Sequence, residues 1–176
     1  MKFVAAQMDE AVAAWVMERN PLMDLGEIPY TAIGQLDGTG HIVGGTVFTN
    51  YTQRDIHLHV AGAGPRWLTR RFLGECFRYV FFQLNCRRCT VMIAATNERS
   101  QRFCEGLGWR YEGILRAYLP GDEDCLIYGM LREECRWLTV GELQHGHSKP
   151  TRAATAADLT RRPKPRITAA LRRITH

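Results

Sequence analysis

His57 and His59 are the residues of this chain best suited to moving a proton near neutral pH, because imidazole is the side chain whose ordinary titration falls between pH 5 and 8. They alternate with Ile56, Leu58 and Val60, so a period-two strand puts the three apolar residues on one face and Asp55, His57 and His59 on the other. Histidines that merely pack or face solvent are commoner than catalytic ones. Two on the polar face of one strand, ahead of a glycine-rich turn, point to a general base acting directly or through water, with His57 and His59 the candidates ahead of Asp55 and Glu112. The turn is Gly62, Ala63, Gly64 and Pro65. Beyond it Leu68, Phe72, Leu73, Cys76, Phe77, Val80, Phe81 and Leu84 follow helical spacing, with Arg70, Arg71, Glu75 and Arg78 on the wetter side. A helix start behind glycines offers free amides and a favourable dipole to an anion, and Arg66, Arg70 and Arg71 add charge there. This strand, turn and helix read as a site for the phosphate end of a cofactor, against the plainer reading of a simple glycine turn.

The elements that position these residues follow from the chain beyond. A parallel strand can return only after such a crossover, and Thr90 to Ala94 supply it. Asn97, Glu98, Arg99 and Ser100 open a second helix in which Asn97 can cap the orphan amides; Phe103 and Leu107 pack it, and Gly108 ends it. Trp109 to Arg116 follow, then a strand over Asp124 to Leu131. The resulting run is N-x-x-S-x-x-x-x-x-x-L-G-W-x-x-E-G-x-x-R, from Asn97 through Ser100, Leu107, Gly108, Trp109, Glu112 and Gly113 to Arg116. It resembles the second half of the GNAT N-acetyltransferase family, and most of all its branch that acetylates ribosomal-protein N-termini. The resemblance spans about residues 3–138, with its residue-level support between Asp55 and Arg132.

That resemblance implies an α/β (α+β) fold of GNAT type, a mixed central sheet with helices on both faces and a splayed parallel strand pair. It implies acetyl-CoA as co-substrate. The strand before the turn would hold the pantetheine arm with its free amides, one of them stabilising the oxyanion as an amine attacks the thioester. The cofactor would lie against Val60, Ala61, Gly62, Ala63, Gly64, Arg66, Trp67, Arg70, Asn97, Ser100 and Phe103. Ser100 matches the serine of the ribosomal branch and would serve the leaving thiolate, its plainer role being a first-turn cap. Many members place a tyrosine where this chain has Cys104, four residues on. The family's Q/R-x-x-G-x-G/A loop is also replaced, by Ala61 to Arg66, and the acid that the ribosomal branch carries near Leu119 is missing.

Ahead of the site, Asp9 and Glu10 begin a helix that Pro21 must stop near Asn20. Tyr30 to Leu36 and His41 to Thr49 read as a hairpin through Asp37 to Gly40, and Asn50 to Gln53 turn the chain into the histidine strand. With 176 residues, 45% of them hydrophobic, the chain can bury a full core, and no apolar run approaches the ~20 residues of a membrane span. The short N-terminal apolar stretch does not read as a secretory signal and leads directly into a helix pattern at Ala11, Val12, Trp15 and Val16. The expectation is therefore a soluble, cytoplasmic protein without membrane partners, its six cysteines reduced. Cys86 and Cys89 form a lone C-x-x-C with no second pair at zinc-finger spacing, so they read as structural and no metal is expected.

Domain organisation follows from charge. The resemblance implies an acetyltransferase domain over residues 1–138, and the charge sets off residues 139–176 as a basic C-terminal tail. From Ser148 onward eight Lys or Arg stand against one acid, so this segment carries +7 of a total of +5 and leaves residues 1–147 at −2. Pro150, Pro163 and Pro165 suggest a flexible linker, and Ile167, Ala170, Leu171 and Ile174 the spacing of a short terminal helix. Such a tail is solvated, docks on its own domain or on a second subunit of a homodimer, or serves as an arm for nucleic acid or another polyanion. The function expected is direct acetyl transfer to a primary amine, either a protein N-terminus or a small-molecule amine. The alternative is a catalytically silent CoA-binding interaction module whose tail finds nucleic acid.

Overall fold

The computed structural model describes residues 3–5, 8–20 and 23–138; the basic tail and its expected terminal helix lie outside the described residues. Those residues form one seven-stranded sheet: β1 (Phe3–Ala5), β2 (Thr31–Leu36), β3 (Ile42–Thr49), β4 (His57–Gly62), β5 (Arg88–Ala94), β6 (Arg110–Leu119) and β7 (Glu123–Leu131). The spatial order is β1-β2-β3-β4-β5-β7-β6, and every neighbouring pair is antiparallel except β4 and β5. Three α-helices accompany the sheet among these residues: α1 (Asp9–Met17), α2 (Arg70–Arg78) and α3 (Glu98–Leu107).

The helices divide between the two faces, so the sheet has two cores. α1 presses Val12 and Val16 onto Gly45 and builds a small core with Ala32, Val47 and Ala61. α2 and α3 cover the other face, where Phe72, Phe77, Cys104 and Leu107 meet Phe48, Leu58 and Val91. The mixed sheet with helices on both faces is the architecture expected.

Local chemistry sets the turns. Asp37 Oδ1 accepts from the amides of Thr39 (2.8 Å) and His41 (3.0 Å), which adds side-chain bonds to the backbone bond from the Asp37 amide to His41 O (2.9 Å) in closing the β2–β3 hairpin. Asn97 Oδ1 accepts from the Ser100 amide at 3.1 Å, making Asn97 the cap of α3 and leaving Ser100 without that role. At the other end Gly108, at φ +111°, donates its amide to Cys104 O, a left-handed stop that glycine adopts at least cost.

Three expectations need correction. Gly62 does not break the histidine strand but is its last residue, paired with Gly44. The helix expected from Leu68 to Leu84 starts only at Arg70, because Thr69 caps it, and after Arg78 it loosens into a π-turn over Tyr79–Gln83. The N-terminal residues expected to run straight into a helix instead contribute β1 on the sheet edge.

Candidate active site

The parallel pair sets the site. β4 and β5 share a single register pair, His57↔Thr90, where the Thr90 amide donates to Ile56 O at 2.9 Å, and beyond it the strands part. On its other edge β4 is fully laddered to β3, from Thr49↔His57 to Gly44↔Gly62. Alternation along the strand then turns Val60 and Gly62 toward the gap with their main-chain amides free of ladder partners. The Val60 carbonyl is met by Asn20 Nδ2 at 3.4 Å, from the end of α1.

The α2/α3 side of this gap is apolar. Leu58, Val60, Val91, Phe103 and Cys104 line a cavity of about 30 Å³, room for about one water. Over its edge Trp67 lies against Phe72 and Phe103, with ring centroids 6.0 and 6.1 Å away. The indole rests on the paired glycines Gly44 and Gly62, and a Cβ at either would overlap the ring.

The turn residues Gly62 to Arg66 are exposed, and Gly64 sits at φ +75°, a conformation that suits glycine. Thr69 Oγ1 accepts from the Phe72 amide at 3.1 Å and donates to Gln35 Oε1 at 2.8 Å, so a fully buried glutamine from β2 pins the cap of α2. The first turn of α2 holds Arg70 and Arg71 and no acid. Cations at this end oppose the helix dipole, an arrangement that suits an incoming anion.

The opposite side of β4 is polar. His57 and His59 point to the α1 face with Ala61. His59 Nε2 lies 3.0 Å from Thr49 Oγ1, and burial together with the neighbouring His57 pushes its pKa from 6.5 down to about 4. His57 Nδ1 lies 3.3 Å from Asn50 Nδ2. Burial lowers its pKa as well, opposed by the charge of Asp55 and assisted by that of Arg88. Beside the two histidines, Thr90 Oγ1 donates to Asp55 Oδ2 at 2.7 Å, and Arg88 Nη2 bridges Thr90 Oγ1 and Glu112 Oε2. The Arg88–Glu112 pair lies on Gly129, where a Cβ would displace it.

Of the residues expected from sequence, His57, His59, Val60, Ala61 and Gly62 share β4 at the gap; Gly64, Arg66, Trp67 and Arg70 follow at its mouth, and Phe103 closes its apolar side. Ser100 stands in the first turn of α3, and no hydrogen bond joins it to either histidine among the described residues. Asn20, Gln35, Asn50, Arg88 and Thr90 escaped the sequence reading, since each becomes relevant only through strands that meet in space. All six cysteines are buried, and burial raises the thiol pKa of Cys76, Cys86 and Cys104 to about 12.

A seven-stranded mixed sheet, parted at its one parallel pair and flanked by helices on both faces, is the GNAT fold. No family model and no curated protein matches the sequence. Solved structures do match. The spermidine N-acetyltransferase of Vibrio cholerae, in complex with CoA and spermine, aligns with a TM-score of 0.59 at 15% identity, over 78% of this chain and 98% of that one. Mutant forms of the spermidine/spermine N-acetyltransferase of the same organism align at 0.58 and 15% identity, over 76% and 96%. A dodecameric form in an intermediate state gives 0.59 at 14%, over 75% and 94%. At these identities the likeness is one of fold. The ribosomal-protein branch rests on the run from Asn97 to Arg116 alone.

Proposed function

We propose that this chain is an acetyl-CoA-dependent N-acetyltransferase that passes the acetyl group directly to a primary amine. The observation that carries the reading is the gap between β4 and β5, with its main-chain amides at Val60 and Gly62 and the histidines at its apex. A pantetheine arm carries amides of its own and can lie along β4 as a missing strand. Its pyrophosphate then reaches the turn from Gly62 to Arg66 and the start of α2, where Arg66, Arg70 and Arg71 supply charge. The acetyl group comes to rest at the gap, with an amide of β4 directed at the carbonyl oxygen that becomes negative during attack. Trp67 and Phe103 flank the arm, and Asn97 and Ser100 at the start of α3 stand on the side where the thiolate leaves.

The acceptor approaches from the α1 face, where His57 takes its proton. Of the two imidazoles His57 is the better base, because a group that titrates at about 4, as His59 does, holds a proton too weakly to draw one from an ammonium. The solved neighbours with spermine support a polyamine or similar small amine as acceptor; the Asn97 to Arg116 run supports a protein N-terminus.

The test is calorimetry with CoA, followed by acetyl transfer to a panel holding spermidine, spermine and an N-terminal peptide. Binding of CoA with turnover of at least one amine is expected. CoA binding without transfer to any amine would favour a silent CoA-binding module, and absence of CoA binding would overturn both readings.

A further inference from the structure

The cavity on the α2/α3 side has no part in the transfer of an acetyl group, yet both parted strands build it. Leu58 and Val60 of β4, Val91 of β5, and Phe103 and Cys104 of α3 wall a space of about 30 Å³, which a methyl group fills as well as a water does. Alternation along β4 fixes its place. Leu58 and Val60 belong to the core under α2 and α3, while Ala61 belongs to the core under α1, on the side to which His57 and His59 point. The cavity and the histidines therefore lie on opposite sides of one strand. Water is poorly served in this space. Two of the lining side chains carry nitrogen or oxygen: Thr46, whose hydroxyl accepts from Cys76 Sγ at 3.6 Å, and Trp109, whose buried indole N–H has no partner among the described residues. A buried water ordinarily makes about three bonds, and a small cavity short of such partners suits an apolar guest.

The direction of attack says which guest can reach it. An amine adds to a thioester carbonyl perpendicular to the carbonyl plane, here from the α1 face. In an acetyl group the carbon beyond the carbonyl lies in that plane and stays within the gap. One more carbon can turn about the bond next to the carbonyl. It then points away from the amine, to the α2/α3 face, where the space behind Val60 is open.

We propose that the gap takes an acyl group one carbon longer than acetyl, a propionyl thioester, whose terminal methyl fills the cavity walled by Val60, Val91 and Cys104. The proposal rests on the acyl transfer described above and leaves its chemistry unchanged. The amine nitrogen bonds to the acyl carbon, the carbon–sulfur bond breaks, the amine's proton goes to His57, and solvent returns a proton to the CoA thiolate. The test, on the full-length protein, is kinetics with acetyl-, propionyl- and butyryl-CoA against one amine, with calorimetry of the same three thioesters. Propionyl-CoA should match acetyl-CoA in kcat/KM or exceed it by up to about fourfold, the worth of one buried methylene, and butyryl-CoA, too long for the space, should fall below both. Cys104→Val adds bulk that grows into the cavity, so it should lower the propionyl-to-acetyl ratio at least about fourfold with acetyl-CoA used as before. Cys104→Ala enlarges the cavity and should bring butyryl-CoA closer to propionyl-CoA. Opposite shifts from two mild changes at one residue are not what misfolding produces; were Cys104→Val not to fold, the wild-type series and Cys104→Ala decide. A wild-type preference for acetyl-CoA over propionyl-CoA, or ratios that the variants leave in place, would overturn the proposal. Should no amine be acylated, the transferase reading falls, while the calorimetric ratio of propionyl- to acetyl-CoA affinity in the same proteins still decides the role of the cavity. If no thioester binds, both fall.

Discussion

His57 and His59 sit two residues apart on one strand, yet burial separates their chemistry. His59 is depressed from 6.5 to about 4, so the folded state binds fewer protons there than the unfolded state. The sign follows: its contribution to stability is full above pH 6.5 and is lost as pH falls through about 4. With about 1.4 kcal/mol per pH unit, the loss approaches roughly 3 kcal/mol. Urea unfolding at pH 7 and pH 4.5 should show it, and His59→Gln, which keeps a partner for Thr49, should flatten the difference. At His57 the expected readout is kinetic. His57→Ala should lower kcat by about 10²-fold at pH 7 with CoA affinity unchanged, and the wild-type rate should fall on the acid side only below the ordinary histidine pKa of 6.5, since burial lowers that of His57. Full activity in both histidine variants would return the proton to Asp55, Glu112 or water. The alternation that puts these two side chains on one face of β4 was legible in the sequence because period two is local. Asn50 and Gln35 were not: one reads as a turn residue, the other as a polar residue on a strand surface, and only the packing of β3 against β4 and of Thr69 against β2 gives each a task.

Among the elements, the loop between β4 and α2 carries the most constraint. Its Trp67 ring lies on Gly44 and Gly62, so Gly62→Ala should cost about 1–3 kcal/mol through overpacking. The paired variant with Trp67→Ala should recover part of that loss, and thermal unfolding of the four proteins measures the coupling. The Thr69 hydroxyl accepts from one group and donates to another, so Thr69→Val removes a cap worth about 1 kcal/mol together with its hydrogen bond to the buried Gln35 oxygen, worth about 0.5–1.5 kcal/mol. CoA should bind that variant more weakly, while acetyl-pantetheine, which lacks the pyrophosphate, should be used as before. Sequence reading placed α3 well because Asn97 and Gly108 mark its ends with their own chemistry. It started α2 too early because the apolar spacing extends back to Leu68, and a tertiary contact, Thr69 with Gln35, decides where the helix begins.

At the scale of the whole molecule, the sheet consists of four strands, β1 to β4, and three, β5 to β7, joined at one register pair. No helix among the described residues is long and apolar enough to cross a membrane. The charge is as unevenly divided as the sheet: +7 lies in residues 148–176 against −2 in the rest. A chain ending at residue 147 should keep its CoA affinity and lose any salt-dependent binding to nucleic acid, because that dependence scales with the cations engaged. Aggregation of the shortened chain would show instead that the tail covers apolar surface. The parting of β4 from β5 also places a strand edge in the middle of the sheet. Amide protons of Val60 and Gly62 should therefore exchange with solvent deuterium at the pace of a surface loop, while those of His59 and Ala61, held by β3, exchange slowly. Saturation with CoA should slow the first pair and leave the second as it was, so that two alternating amides on one strand report occupancy of the gap without any enzymatic assay.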